Sequence, residues 1–306
     1  MKEQVPYHVS VMPREVIEYL NPQPGGIYID ATFGGGGHTR ALLTHGTGYR
    51  VISFDWDTAA LDQNGEPLLA EYPKRLQLVW ANFTNIEQAL KKGNIRAVDG
   101  IVADFGTSQH QIFERPGFSF GTDTPLDMRM SPGHQRITAA HILARSSEQE
   151  LTVIFKEYGQ EHRARAIARA IVEQRKQKQI RTTAQLVALV ESVVGGRGKR
   201  KIHPATQVFQ ALRIVVNREL DNIRAFLPAA LRLLKPGGRL VCISFHSLED
   251  LLVKQFCKDA TRLYGIATQT ITPKPVEASA QEVHSNPSAR SARLRVLERE
   301  KSDKSV

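Results

Sequence analysis

Four consecutive glycines, Gly34-Gly35-Gly36-Gly37, follow the β-rich run Ile27-Tyr28-Ile29-Asp30 and lead into His38-Thr39, where a helix pattern begins. A strand, a glycine turn and a helix start, in that order, let backbone N–H groups approach a ligand and aim a helix N-terminus at it. The same turn can simply pack a helix on a strand. It is not the dinucleotide fingerprint, because the third glycine counted from Gly34 and Gly36 falls at Thr39. Nor is there a phosphate-binding P-loop: Gly198-Lys199 is followed by Arg200 instead of Ser or Thr, and Val193 stands where the first glycine belongs. Further on, Arg50-Val51-Ile52-Ser53-Phe54-Asp55 ends in an acid at a strand tip, and Gly100-Ile101-Val102-Ala103-Asp104 ends in another. An acid at the position of Asp55 accepts hydrogen bonds from ribose hydroxyls in a doubly wound sheet, whereas Asp57 is placed to cap the following helix.

These acids and glycines need a scaffold that brings them to one edge. Short β-rich runs at 27–30, 50–55, 76–79 and 100–104 alternate with helix candidates near 38–46, 57–71 and 84–92, a βαβ series that predicts a parallel sheet with helices on its faces. The alternation stops after Asp104 and returns with the buried run Gly238–Phe245. Between them lie helix-period segments. Ser147 and Glu150 stand at capping-box spacing, and Thr183 precedes the periodic run Leu186, Val187, Leu189, Val190, Val193. The reading is an α/β core, residues 1–111 and 215–306, interrupted by an α-helical domain, 112–214. Lys235-Pro236-Gly237-Gly238 ends a helix and turns into a strand, and Leu294–Glu298 returns to the sheet. Residues 273–288 are polar and Pro- and Ser-containing, and are expected to be poorly ordered. A glycine turn with Asp55 and Asp104 at the carboxyl edge of one sheet suits S-adenosylmethionine, which has a ribose, an adenine and an amino-acid end but no pyrophosphate.

At 306 residues, 41% hydrophobic and 24% charged, the chain is long enough for a large core and excludes collagen-like, coiled-coil and wholly disordered classes. Cys242 and Cys257 are too few for a disulfide framework and lack metal-ligand spacing, so no metal is expected and a reducing, cytoplasmic setting is. No run approaches the ~18–20 apolar residues of a membrane helix, and the first residues lack a signal-peptide core. Most of the net charge of +10 sits in one segment: between Lys156 and Lys201, twelve Lys and Arg stand against four Glu. Such a segment fits a phosphate-backbone partner, with Lys199, Arg200 and Lys201 in a glycine-containing loop as its sharpest feature.

Longer strings carry a resemblance. Asp30–Thr39, Gly117-Phe118-Ser119-Phe120, Pro125–Met130, His203-Pro204-Ala205-Thr206, Phe209–Ile214, Ile243–Asp250 and Asn286–Ser291 together resemble the MraW family of ribosomal RNA small-subunit methyltransferases, over about His8 to Arg299. The resemblance implies a Rossmann-like class I methyltransferase sheet with an inserted α-helical domain. It also implies S-adenosylmethionine-dependent methylation of the exocyclic N4 of a cytidine in 16S rRNA, near the decoding centre, in the small subunit or a late assembly particle. Carried over by motif, the cofactor contacts are Gly36, Gly37, His38, Asp55, Phe83, Asp104 and Gln111. The chain departs from the family at Phe105, Thr107 and Gln109, at Pro116, and at Gln207-Val208 in place of an Arg-Thr pair.

Methyl transfer to an aromatic amine is mainly a matter of positioning. Asp104 is the catalytic candidate, either accepting a hydrogen bond from the target amine or holding the cofactor's amino group. Phe245 is a candidate stacking surface for an unpaired cytosine, or a core residue. Arg290 and Arg293, with Arg295, are placed to clamp phosphates or to dock the tail. Two other classes fit the same residues: a non-enzymatic RNA-binding assembly factor, and a DNA cytosine-N4 methyltransferase.

Overall fold

A computed structural model describes residues 10–107, 111–112, 115–196 and 202–301. The chain divides into two compact units, Met1–Ser108 with Leu220–Val306, and Gln109–Glu219.

The first unit is built on an eight-stranded sheet. Its strands are β1 (Ile27–Asp30), β2 (Arg50–Asp55), β3 (Leu76–Trp80), β4 (Val98–Asp104), β5 (Leu234–Ser244), β6 (Thr268–Thr270), β7 (Val276–Glu277) and β8 (Arg293–Arg299). The order is β3-β2-β1-β4-β5-β8-β6, with β7 also on β8. The first five are parallel and β8 runs antiparallel to β5. The fold class is therefore the α/β parallel sheet that the sequence pattern predicts, in the Rossmann-like form that the resemblance implies.

The central strands are apolar on both faces because helices cover both. Ile29, Ile52, Phe54, Ile101 and Ala103 face one cluster, completed by the helices Ile86–Lys92, Glu219–Leu233 and Ser247–Tyr264. Tyr28, Val51, Val102 and Val241 face the other, with Pro13–Leu20 (α1) and Gly37–His45 (α2). At the foot of β5, Val98 pairs with Leu234 and Gly100 with Arg239, so residues 235–238 loop out, with Gly237 at φ 81°. The sheet order reverses between β1 and β4, the switch point outside whose carboxyl ends a crevice forms.

Residues 273–288 correct the sequence reading, for they are structured. Val276 pairs with Leu294 of β8, and Ser279 caps the helix Ala280–Ser285 by accepting from the Glu282 N–H at 3.1 Å. Short elements held by backbone pairing and caps leave little hydrophobic periodicity for a sequence pattern to display.

The second unit is helical: Ala139–Arg145, Glu148–Glu157, Ala164–Gln177, Thr183–Val194 and Thr206–Asn217 pack around Leu151, Phe155, Ile167, Leu186 and Phe209. Ser147 and Glu150 form the expected capping box. The cap of the fourth helix is Thr182 rather than Thr183, paired with Gln185; Thr183 is instead buried and donates to the Thr122 carbonyl at 2.9 Å. Phe120 stacks on His203 at 4.6 Å between centroids and meets the edge of Phe209 at 5.2 Å, which ties three of the recognised strings together within this unit. Asp127 and Arg129 pair through two bonds of 2.6 and 2.8 Å. Among the described residues no helix is long and apolar enough to cross a membrane.

Candidate active site

The glycine turn is fixed by the strand ends beside it. Gly36 N–H donates back to Phe33 O at 2.7 Å, and Gly34 and Gly36 take φ of 52° and 74°, a region that favours glycine. Asp55, at the end of β2, accepts from Gly34 N–H and from Asp57 N–H, both at 2.8 Å, one through each oxygen. Asp57 in turn caps the next helix through Ala59 N–H, as its position in the sequence predicts. Burial pushes the Asp55 carboxyl up to about 6, against the pull of its two backbone donors and with Asp57 and Asp30 adding to the rise. Asp55 thus holds the turn, and each oxygen keeps a lone pair for a ribose hydroxyl.

The helix start after the turn is crowded from one side. A Cβ at Gly37 would overlap the Ser10 hydroxyl, so the chain before α1 lies directly against the turn. Around Gly34, by contrast, among the described residues and apart from its two chain neighbours, only the Thr32 carbonyl comes within 4 Å of such a Cβ, at 3.9 Å, so among those residues that side of the turn has room for a ligand.

Beneath the turn lies a buried polar chain absent from the sequence reading. Asp30 accepts from Thr39 Oγ1 at 2.7 Å and Thr32 N–H at 3.1 Å, and Thr39 Oγ1 meets Ser53 Oγ at 2.7 Å. Thr32 Oγ1 accepts from Asp104 N–H at 2.7 Å, linking the tips of β1 and β4 across the switch point. Thr32 and Thr39 were visible only as small polar residues flanking glycines.

Asp104 is the atypical member. Its Oδ2 lies 3.9 Å from His38 Nδ1, while its Oδ1 is buried with no hydrogen-bond partner among the described residues. Burial pushes the carboxyl up to about 7; the His38 charge opposes this, and Asp30 and Glu249 add to it. An orphaned buried carboxyl oxygen is costly unless a ligand donor meets it. Asp104 Oδ1, Asp55 and the open face at Gly34 together offer acceptors for an amino group and for ribose hydroxyls, which fits S-adenosylmethionine.

The turn after β5 completes this edge. Phe245 N–H donates to Glu249 Oε2 at 2.8 Å, and the half-buried Phe245 ring lies 3.3 Å from where a Cβ on Gly106 would stand, with Gly106 at φ 102°. Phe245 therefore sits beside the loop that follows Asp104. Glu249 is fully buried, and its Oε1 lies 3.2 Å from His246 Nε2. It holds the third helical position after His246, a spacing that reads as a capping box only when the cap is Ser or Thr, so sequence reasoning passed over it.

Gly36, Gly37, His38, Asp55, Asp104 and Phe245 thus gather at one sheet edge. Phe83 is half-buried in the turn Phe83–Asn85, its ring 5.1 Å from Phe226 and 6.0 Å from Phe105 between centroids, so much of it is core. Gln111 is buried and belongs to the second unit. Lys199, Arg200 and Lys201 lie outside the described residues. Arg290 and Arg293 are exposed, the latter with one nitrogen 3.4 Å from Asp250. Arg295 is buried in a two-bond pair with Asp250, so of the two roles open to it, docking the tail is the one realised and phosphate clamping is not. Burial raises both thiols, Cys257 to about 11, which leaves them unreactive.

Comparison with known proteins identifies the family. The family model described as the MraW methylase family matches residues 6–300. The protein named ribosomal RNA small subunit methyltransferase H from Syntrophotalea carbinolica is 45% identical over 318 residues, spanning 98% of this chain and 100% of the relative. The proteins of that name from Geotalea daltonii and Afipia carboxidovorans are 45% and 44% identical, over 95% and 98% of this chain and 98% and 92% of theirs. With a family model matching residues 6–300 and relatives 44–45% identical over nearly the whole chain, the chain belongs to the MraW methylase family.

Proposed function

We propose that the protein is an S-adenosylmethionine-dependent methyltransferase acting on the exocyclic N4 of a cytidine in 16S rRNA, in the cytoplasm, with the small ribosomal subunit or a late assembly particle as its substrate. The observation that carries the reading is the buried, unpartnered Oδ1 of Asp104 beside the open glycine turn, in a chain of this family. Bound there, S-adenosylmethionine supplies a methyl group activated on a sulfonium. Asp55 accepts from the ribose hydroxyls while keeping the turn in shape, and Asp104 Oδ1 accepts from the amino group. Phe245, beside Gly106, offers a face on which an unpaired cytosine stacks, a contact worth ~1–3 kcal/mol per base. No strong base is required of the protein, because a methylated ammonium gives its proton to water. Lys199, Arg200, Lys201, Arg290 and Arg293 are the candidates for phosphate contact.

The test is transfer of labelled methyl to unmethylated small subunits, naked 16S RNA and DNA in parallel, with the product nucleoside identified by mass spectrometry. N4-methylcytidine from subunits is the expected product. Transfer to DNA alone would replace the reading by the DNA enzyme, and subunit binding with no cofactor binding would replace it by an assembly factor.

A further inference from the structure

Resting on the reading that the glycine turn and the start of α2 receive S-adenosylmethionine, the geometry points to Glu282 as a positioning residue that holds the segment Ser10-Val11-Met12 against that turn and so sets cofactor affinity. The segment meets the site at Gly37 and His38, the first two residues of α2. Ser10 lies against Gly37, its hydroxyl filling the space that a Cβ there would take. Val11 O stands 2.8 Å from His38 Nε2, and because a carbonyl can only accept, the ring donates. Val11 and His38 are both buried, so water offers neither a replacement partner. The position of the helix start therefore depends on where Ser10 and Val11 are held.

They are held from both sides. Met12, the next residue, is fully buried and takes the left-handed backbone conformation at φ 54°, which a residue with a side chain keeps only where its surroundings impose it. On one side the Met12 carbonyl accepts from Val16 N–H at 2.9 Å, which ties the segment to α1. On the other, Met12 N–H donates at 2.6 Å to Glu282 Oε1, 270 residues further along the chain. Glu282 is itself fixed by the helix Ala280–Ser285, whose Ser279 cap accepts from its N–H, while Val283 packs in the same apolar cluster as Val11 and Met12. A carboxylate is the stronger kind of acceptor for a backbone N–H, and losing it leaves a buried donor with nothing to meet. Without Glu282, Met12 relaxes out of the left-handed conformation, and Val11 and Ser10 move with it, away from His38 and Gly37.

The test compares wild type, Glu282→Ala and Glu282→Gln, each well below its melting temperature. It measures S-adenosylhomocysteine affinity by calorimetry, and kcat and the KM for S-adenosylmethionine with small subunits as methyl acceptor. Glu282→Ala is expected to weaken both cofactor constants about tenfold, the lower end of what a hydrogen bond to a charged group is worth, while kcat and the KM for the subunit stay within about twofold. Glu282→Gln keeps an oxygen for Met12 N–H and is expected to bind within about threefold of wild type. A Glu282→Ala protein that melts lower yet binds the cofactor as wild type does shows that Glu282 only supports the fold, and overturns the inference. A glutamine variant as weak as the alanine one overturns it too. If wild type itself binds no S-adenosylhomocysteine, it is the cofactor reading that fails. Should Glu282→Ala not fold, Glu282→Asp decides, because it keeps the charge on its helix but is one carbon–carbon bond too short to reach Met12 N–H. It is expected to bind about tenfold more weakly than wild type, and binding equal to wild type overturns the inference.

Discussion

Asp104→Asn is expected to stabilise the folded protein at pH 8 while reducing methyl transfer by about one to two orders of magnitude. The carboxyl is raised from its ordinary 3.8 to about 7 by burial, with His38 opposing and Asp30 and Glu249 adding to the rise. A carboxyl raised on folding favours the folded state fully only below its unfolded value. That contribution is lost as pH climbs from about 4 to about 7, after which the buried charge is carried in full. At 1.36 kcal/mol per unit the upper bound is ~4 kcal/mol, and ~1–3 kcal/mol is the realistic range. The amide carries no such charge, so the variant's melting temperature should exceed the wild type's at pH 8 and match it near pH 4. Activity moves the other way, since a hydrogen bond to a charged partner, worth ~1.5–3 kcal/mol, is weakened where the cofactor is held. Equal melting at both pH values would mean that Asp104 is solvated and ordinary.

The second large effect lies behind the same edge. Asp250→Ala is expected to destabilise the protein by ~3–5 kcal/mol at pH 7, because it leaves the Arg295 guanidinium buried without a counterion. Arg295 Nε and Nη2 reach Asp250 Oδ1 and Oδ2 at 2.6 and 3.1 Å, and Arg293 Nη1 approaches Oδ2 at 3.4 Å. Burial works to raise the Asp250 carboxyl, but the hydrogen bonds and charge of Arg295, with those of Arg293, outweigh it and hold the group below its ordinary value. The stabilisation is therefore present above pH 4 and lost as acid protonates the folded-state carboxylate. Asp250→Leu combined with Arg295→Met should recover most of the loss, since a buried pair replaced by apolar groups is often neutral. Denaturant unfolding at pH 7 checks both. A loss below ~1 kcal/mol for the single variant would show that water reaches the pair.

What the sequence revealed, and what it hid, follows from the range of each interaction. The strand ends at Asp30, Asp55 and Asp104 were legible because a parallel sheet buried on both faces writes continuous apolar runs that stop at the carboxyl edge. The Ser147 box was legible because both partners lie within four residues. The Thr182 cap was misplaced by one position because two adjacent threonines carry the same signal. The Thr32–Asp104 bond, the Ser10 contact at Gly37 and the Asp250–Arg295 pair were not legible, for each joins residues 27 or more positions apart through the sheet or the turn. His38 is the instructive case. Its neighbours in the glycine string marked it as a ligand contact, whereas its buried ring is turned to Val11 and Asp104.

The cofactor site is tested most directly by a structure of the protein determined with S-adenosylhomocysteine bound. The amino group is expected on Asp104 Oδ1, the ribose hydroxyls on Asp55, and the ligand along the open side of Gly34, with the His38 ring still on the Val11 carbonyl. A ligand bound elsewhere, or one seated at this edge with Asp104 Oδ1 still unpartnered, would contradict the assignment of that carboxyl as the acceptor that holds it.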